Sequence, residues 1–144
     1  MNLDDIYTEV IAEHSNSKAN KRELSSPDMV LEGVNPNCGD ELKIAFKTSE
    51  GKIDDLAFTG IGCAISQASA SIMSELLRGR TLEEAKHLIA LFLKMIKREV
   101  TEESALEELG EAVALKNISN MPARVKCAVL AWHTLEEGIN KLEE

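Results

Sequence analysis

The sequence predicts an α+β domain, a small three-stranded antiparallel sheet with helices packed on one face. Three observations carry this expectation. Three stretches of strand-like period fall between residues 29 and 59. The turns that join them are short enough to suit antiparallel neighbours. From residue 64 onward the apolar residues recur at helical spacing. The chain has 144 residues, enough to bury one substantial core, so residues 1–144 are expected to form a single domain.

The elements follow in order. Leu3 to His14 reads as a short amphipathic helix with Leu3, Ile6, Tyr7, Val10 and Ile11 on one face. Ser15 to Pro27 is polar and reads as a loop. Met29 to Val34 reads as a first strand. Asn35-Pro36-Asn37-Cys38-Gly39-Asp40 is a turn by its chemistry, because Pro fixes one φ and Gly permits another. Leu42, Ile44 and Phe46 alternate with charged residues, the period of a half-buried strand. Ser49 to Lys52 turns the chain again, and Ile53 to Thr59 makes a third strand with Leu56 and Phe58 sharing a face. Ala64 to Leu77 reads as a helix with Ile65, Ala68, Ile72 and Leu76 on one stripe, stopped at Gly79. Thr81-Leu82-Glu83-Glu84 matches a capping box. The helix it opens turns Ala85, Leu88, Ile89, Phe92 and Ile96 inward. Lys97 to Asn120 shows only a short helical stretch near Leu106 to Val113. A last helix starts at Pro122, a residue suited to a first turn. It runs to about Leu142 with Val125, Trp132, Leu135, Ile139 and Leu142 inward.

Composition narrows the function. The formal net charge is −9 and no basic stripe appears, which argues against nucleic acid as a partner. An acidic surface can steer the protein toward a basic partner. The longest apolar run, Leu88 to Leu93, is too short to span a bilayer, so no membrane partner is expected. Met1 to Glu13 holds no uninterrupted apolar core, so no leader is expected and the cytoplasm is the default location. Three cysteines cannot all pair, and in a reducing compartment thiols serve as metal ligands, catalytic groups or core residues.

Each cysteine falls at an element boundary: Cys38 in the first turn, Cys63 between a strand and a helix, Cys127 in the first turns of the last helix. Asp40 is two residues past Cys38, so both can reach one point around Gly39. Three thiols and a carboxylate are a tetrahedral zinc set in kind, and thiolates also suit an iron–sulfur cluster. Gly39, Gly60 and Gly62 would let the backbone bend behind these residues. Cys63 at a helix N-terminus would feel the positive end of the macrodipole, which favours thiolate. Spacing alone leaves open a second reading, three buried thiols that act as small hydrophobes. His14, His87 and His133 share no ligand spacing and read as surface or satisfied side chains. Glu102-Glu103 and Glu107-Glu108 read as a solvated face, and Trp132 as core.

Three blocks of sequence occur in order. They are Asn35-Pro36-Asn37-Cys38-Gly39-Asp40, Gly60-Ile61-Gly62-Cys63-Ala64-Ile65-Ser66-Gln67-Ala68-Ser69-Ala70-Ser71 and Met121-Pro122-Ala123-Arg124-Val125-Lys126-Cys127-Ala128-Val129-Leu130-Ala131-Trp132. Together they resemble the IscU/NifU-N-like superfamily of iron–sulfur cluster assembly proteins, over nearly the whole chain. Scaffold members have His immediately before the last cysteine, where this chain has Lys126, and a shorter stretch than Gly79 to Asn120 between the second and third blocks. Both departures are similar to the SufU branch of zinc-dependent sulfurtransferases. The chaperone-read Leu-Pro-Pro-Val-Lys motif is replaced by Met121-Pro122-Ala123-Arg124, and the Asn-Pro-Arg-Asn that often follows the N-terminal His by Ser17-Lys18-Ala19-Asn20.

The resemblance implies a SufE/NifU-like fold and a zinc ion on Cys38, Asp40, Cys63 and Cys127. It implies that Cys38 accepts sulfur and that Arg124 pairs with the aspartate when the site opens. The implied partner is a pyridoxal-phosphate cysteine desulfurase of the SufS type, with other Suf assembly proteins beyond it. The alternative is a scaffold that holds a [2Fe–2S] cluster on the same ligands. Lys126 argues against it, since one potential ligand is missing.

Overall fold

Alternating side chains need a surface to bury one face, and the three strands supply it together. The structure, a computed structural model, describes the backbone of residues 3–144 and the side chains of residues 7–144. The expected inward positions of Leu3 and Ile6 lie outside the described side chains. Strands β1 (Met29–Asn35), β2 (Asp40–Ser49) and β3 (Lys52–Ile61) form one antiparallel sheet in the order β1-β2-β3. Leu42, Ile44 and Phe46 on β2 are buried, as their spacing predicts. The β2–β3 hairpin turns through Glu50 and Gly51, both at positive φ, which matches the twist of the flanking strands.

On β3 the alternation breaks. Ile53, Leu56 and Phe58 are all buried, although Ile53 and Leu56 differ in parity. The register explains it: Lys47 pairs with Asp55 but Thr48 pairs with Ile53, so a bulge at Asp54 resets the phase.

Helices α1 (Leu3–Asn16), α2 (Ala64–Leu77), α3 (Leu82–Ile96), α4 (Glu103–Leu106) and α5 (Pro122–Leu142) complete the fold, with 3₁₀ turns over Glu107–Asn120. The architecture is α+β, as expected. Helices α2 and α5 pack against the sheet, and α1, α3 and the 3₁₀ segment pack against those two. The capping box at the start of α3 is present: Thr81 Oγ1 accepts from Glu84 N–H and Glu84 Oε1 accepts from Thr81 N–H, each at 3.0 Å. Ala85, Leu88, Ile89, Phe92 and Ile96 are all buried.

Two expectations need correcting. Helix α2 does not bury a stripe: every residue from Ser66 to Ser74 is buried, while Ile65 and Leu76 are half-buried and Leu77 takes the inward place. Its serines tolerate burial because they are bonded. Ser69 donates to Ala128 C=O, Ser74 donates to Ala70 C=O, and Ser71 meets His14 and Asn20. The helical stretch near Leu106 to Val113 is longer than expected and runs over Glu103–Leu106 and Glu107–Asn120. It is mostly 3₁₀ and is interrupted at Gly110, whose φ of 52° is left-handed.

Trp132 fills the centre. It is fully buried, stacks on Phe92 at 3.9 Å between ring centroids, and donates from Nε1 to Ser69 Oγ at 2.8 Å. Trp132→Ala is expected to cost about 3–5 kcal/mol through the cavity and the lost hydrogen bond to Ser69. Urea denaturation checks this, and a loss below about 1 kcal/mol would contradict the packing described.

The loop before β1 is pinned by charge. Arg22 makes a bidentate pair with Asp55 at 2.8 and 3.1 Å, and Arg78 Nε reaches the same carboxylate at 3.1 Å. The Arg22 hydrogen bonds, aided by Leu56 N–H and the charges of both arginines against the cost of burial, lower the Asp55 pKa to about 2. A depressed carboxylate stabilises above the unfolded carboxylate range and loses that contribution as pH falls toward 2. Asp55 is 29% exposed, so solvent screening reduces the effect to about 1 kcal/mol. Stability measured from pH 7 down to pH 2 should show this loss, and Asp55→Asn should remove that part of the pH dependence.

Candidate metal centre

The β1–β2 turn, the start of α2 and the first turns of α5 meet at one end of the sheet. Asn35 ends β1 and pairs in register with Asp40, which opens β2. Cys38 sits in the turn between them, where Gly39 at φ 71° takes a conformation that L side chains resist. Cys63 is the N-cap of α2, and Cys127 lies in the second turn of α5. The fourth element of the site is a close approach rather than a side chain. A Cβ on Gly62 would come within 2.8 Å of Asp40 Oδ1 and would also strike Ser66 Oγ, so only glycine fits there.

The Cys38 and Cys127 sulfurs and an Asp40 carboxylate oxygen lie within 4.8 Å of one another. Asp40 and Cys127 are fully buried, while Cys38 and Cys63 are half-buried. Cys63 stands outside that tight group. Its backbone N–H donates to Asp40 Oδ1 at 3.0 Å. Of the four residues expected at a metal, the structure therefore clusters three, with the fourth beside them.

Asp40 is held by three donors. Oδ1 accepts from Cys63 N–H and from Ser66 Oγ at 3.1 Å, and Oδ2 accepts from Asn35 Nδ2 at 3.3 Å. Asn35 Nδ2 also points at Cys127 Sγ, 3.8 Å away. The Cys38 sulfur makes a weak contact, 3.8 Å, with the carbonyl of Ala123. Burial pushes the Cys127 thiol well above its ordinary value, and the neighbouring Cys38, Cys63 and Asp40 push it further. A thiol in that position ionises only if a cation compensates, and a thiophilic divalent ion supplies such compensation. Soft sulfur donors with one carboxylate therefore fit zinc or iron.

Arg124 is exposed at the start of α5. Its pKa is raised, first by a hydrogen bond to Cys127 and next by the charges of Cys63 and Cys127. Among the described residues no Arg124–Asp40 ion pair is formed. Lys126 is exposed on α5.

Asn35 and Ser66 belong to the site and were not singled out from the sequence for a role there. Ser66 had a faint signal, since it occupies the third helical position after Cys63, where capping groups act. Asn35 had none beyond its place at a strand end. The histidines fall as expected. His87 and His133 are exposed and lie near Glu108 and Glu136, and His14 is buried and bonded. Glu102, Glu103, Glu107 and Glu108 are exposed. No helix among the described residues is long and apolar enough to cross a membrane.

Known proteins resemble this chain over nearly its whole length. The NifU-like N terminal domain family matches residues 6–144. The zinc-dependent sulfurtransferase SufU of Bacillus subtilis (strain 168) is 37% identical over 142 residues, covering 99% of this chain and 95% of the relative. The iron–sulfur cluster assembly scaffold protein IscU of Thermotoga maritima is 40% identical over 137 residues, covering 95% and 94%. A crystal structure of a putative iron–sulfur cluster assembly scaffold protein for the SUF system from Fervidobacterium islandicum AW-1 superposes with a TM-score of 0.85. It is 36% identical and covers 94% of this chain and 97% of that one. The chain belongs to the NifU-like N-terminal domain family of iron–sulfur cluster assembly proteins.

Proposed function

We propose that this chain is a zinc-dependent sulfurtransferase, which accepts persulfide sulfur from a SufS-type pyridoxal-phosphate cysteine desulfurase for iron–sulfur cluster assembly. The observation that carries it is the convergence of Cys38, Asp40 and Cys127, with Cys38 the half-exposed member on a turn and Cys127 and Asp40 sealed behind it. Cys63 completes the zinc set, since its backbone N–H already bonds Asp40 Oδ1 at 3.0 Å and a single side-chain torsion sets the direction of its sulfur. Likeness to the SufU of Bacillus subtilis supports the same reading.

Bound zinc supplies thiolate at neutral pH by replacing the protons of its sulfur ligands. The Cys38 thiolate attacks the outer sulfur of the persulfide on the partner's cysteine. A new S–S bond forms at Cys38 as the partner's S–S bond breaks, and the partner's thiolate leaves with the electron pair. Arg124 stands beside the sulfurs and offers a counter-charge to the incoming persulfide. It also offers charge-assisted hydrogen bonds to Asp40 when that carboxylate is freed.

Metal analysis of the purified protein, combined with desulfurase turnover with and without it, tests the proposal. Tightly held zinc with strong stimulation of turnover is the expected result. A stable [2Fe–2S] cluster would instead support the scaffold reading, and zinc without stimulation would reduce the metal to a structural role.

A further inference from the structure

A second group of metal-ligating side chains lies away from the cysteines, where α1, α2 and the 3₁₀ segment meet. His14, near the end of α1, is 6% exposed. Its Nε2 lies 3.2 Å from Glu111 Oε1 and 3.7 Å from Glu75 Oε2. One ring nitrogen and one oxygen from each carboxylate all lie within 4.8 Å of one another. The two glutamates are exposed and border a shallow pocket with Ile72 and Leu76.

The surroundings orient these groups. His14 Nδ1 lies 2.8 Å from Ser71 Oγ, which fixes the ring so that Nε2 faces the carboxylates. Asn20 Nδ2 donates to Glu75 Oε1 and to Ser71 Oγ, both at 3.2 Å, and so joins one carboxylate to the hydroxyl behind the imidazole. A ligating histidine whose other nitrogen is hydrogen-bonded, beside a ligating carboxylate that is itself hydrogen-bonded, is the outer-shell pattern of metal sites. A hydroxyl can accept from both Asn20 and a protonated Nδ1, since it has two lone pairs. Two carboxylates and a neutral imidazole carry a charge that a divalent cation cancels. Among the described residues His14 is the sole ion-pair partner of either glutamate.

We propose that His14, Glu75 and Glu111 form a second metal site that takes a divalent transition cation of the Mn²⁺, Fe²⁺ or Zn²⁺ type. One nitrogen and two carboxylate oxygens suit borderline to hard ions, whereas the cysteine site selects softer chemistry. The two sites share no residue. An ion there joins Glu111, in the 3₁₀ segment, to α1 and α2, so binding stabilises the attachment of that segment.

Mn²⁺ is the probe, because thiolate sites hold it poorly. Titration of the full chain, followed by the electron paramagnetic resonance signal of free Mn²⁺, should show one bound ion. Glu111→Gln and Glu75→Gln should each weaken binding at least tenfold and leave the circular dichroism and the metal content of the cysteine site unchanged. Mn²⁺ should raise the thermal midpoint of the wild type and not of either variant. No uptake by the wild type at millimolar Mn²⁺ would overturn the proposal and leave His14 as a partner of two carboxylates only. Equal uptake by both variants would overturn it as well.

Discussion

Cys38→Ala is expected to reduce sulfur acceptance from a cysteine desulfurase to background, a loss of at least about 100-fold, because the group that forms the new bond is gone. The fold should hold. Cys38 is half-buried in a turn, and its sulfur meets the Ala123 carbonyl only weakly, at 3.8 Å. Its removal therefore opens no core cavity, and the thermal midpoint should move little. A persulfide assay with the desulfurase and free cysteine reads the first quantity, and a thermal melt reads the second. Undiminished transfer would remove Cys38 from the working role. A collapsed fold would show that the turn depends on the thiol in a way that the contacts do not reveal.

Asp40→Ala is expected to weaken zinc binding by at least about 100-fold, the upper end of what the loss of an outer-shell partner costs and a lower bound for a ligand. Sulfur transfer should change with it. The substitution also strips a fully buried group from three donors, Cys63 N–H, Ser66 Oγ and Asn35 Nδ2. The space it leaves beside Gly62 can admit water to satisfy them, so the chain still folds. Competition with a metallochromic chelator measures the affinity, and circular dichroism reports the fold. Zinc content and transfer rate both equal to those of the wild type would show that Asp40 is a structural carboxylate.

Much of this fold was legible because local chemistry and global packing agree. Leu42, Ile44 and Phe46 alternate with charge and form one buried face. Thr81 and Glu84 spell a capping box and make one. Legibility failed where tertiary structure overrode period. On β3 the bulge at Asp54 places Ile53 and Leu56 on the same side, and no alternation rule reports a residue that drops out of the ladder. Helix α2 is enclosed by α1, α5, β3 and the 3₁₀ segment, so even its serines are buried. Their polarity made the sequence read as a one-sided helix. The region after Lys97 gave little because 3₁₀ turns broken at Gly110 have no sustained period.

The site was legible in the same uneven way. Cysteines at element boundaries and glycines beside them pointed to a shared place, and three ligand atoms meet there. Resemblance to a family supplied the roles that spacing left open. Asn35 is not legible because a hydrogen bond from a strand end follows no spacing rule, and Ser66 only faintly, from its place three residues after the N-cap Cys63. Arg124 is expected to pair with Asp40 when the site opens, and here a hydrogen bond to Cys127 is the first cause of its raised pKa.

The central claim is that Cys38 is the sulfur acceptor. Incubation of the zinc-loaded protein with the desulfurase and cysteine, followed by alkylation and peptide mass spectrometry, tests it most directly. The account predicts a mass gain of one sulfur atom on the peptide that contains Cys38, absent when cysteine is omitted. A sulfur atom found instead on Cys63 or Cys127, or on none of the three, would contradict it.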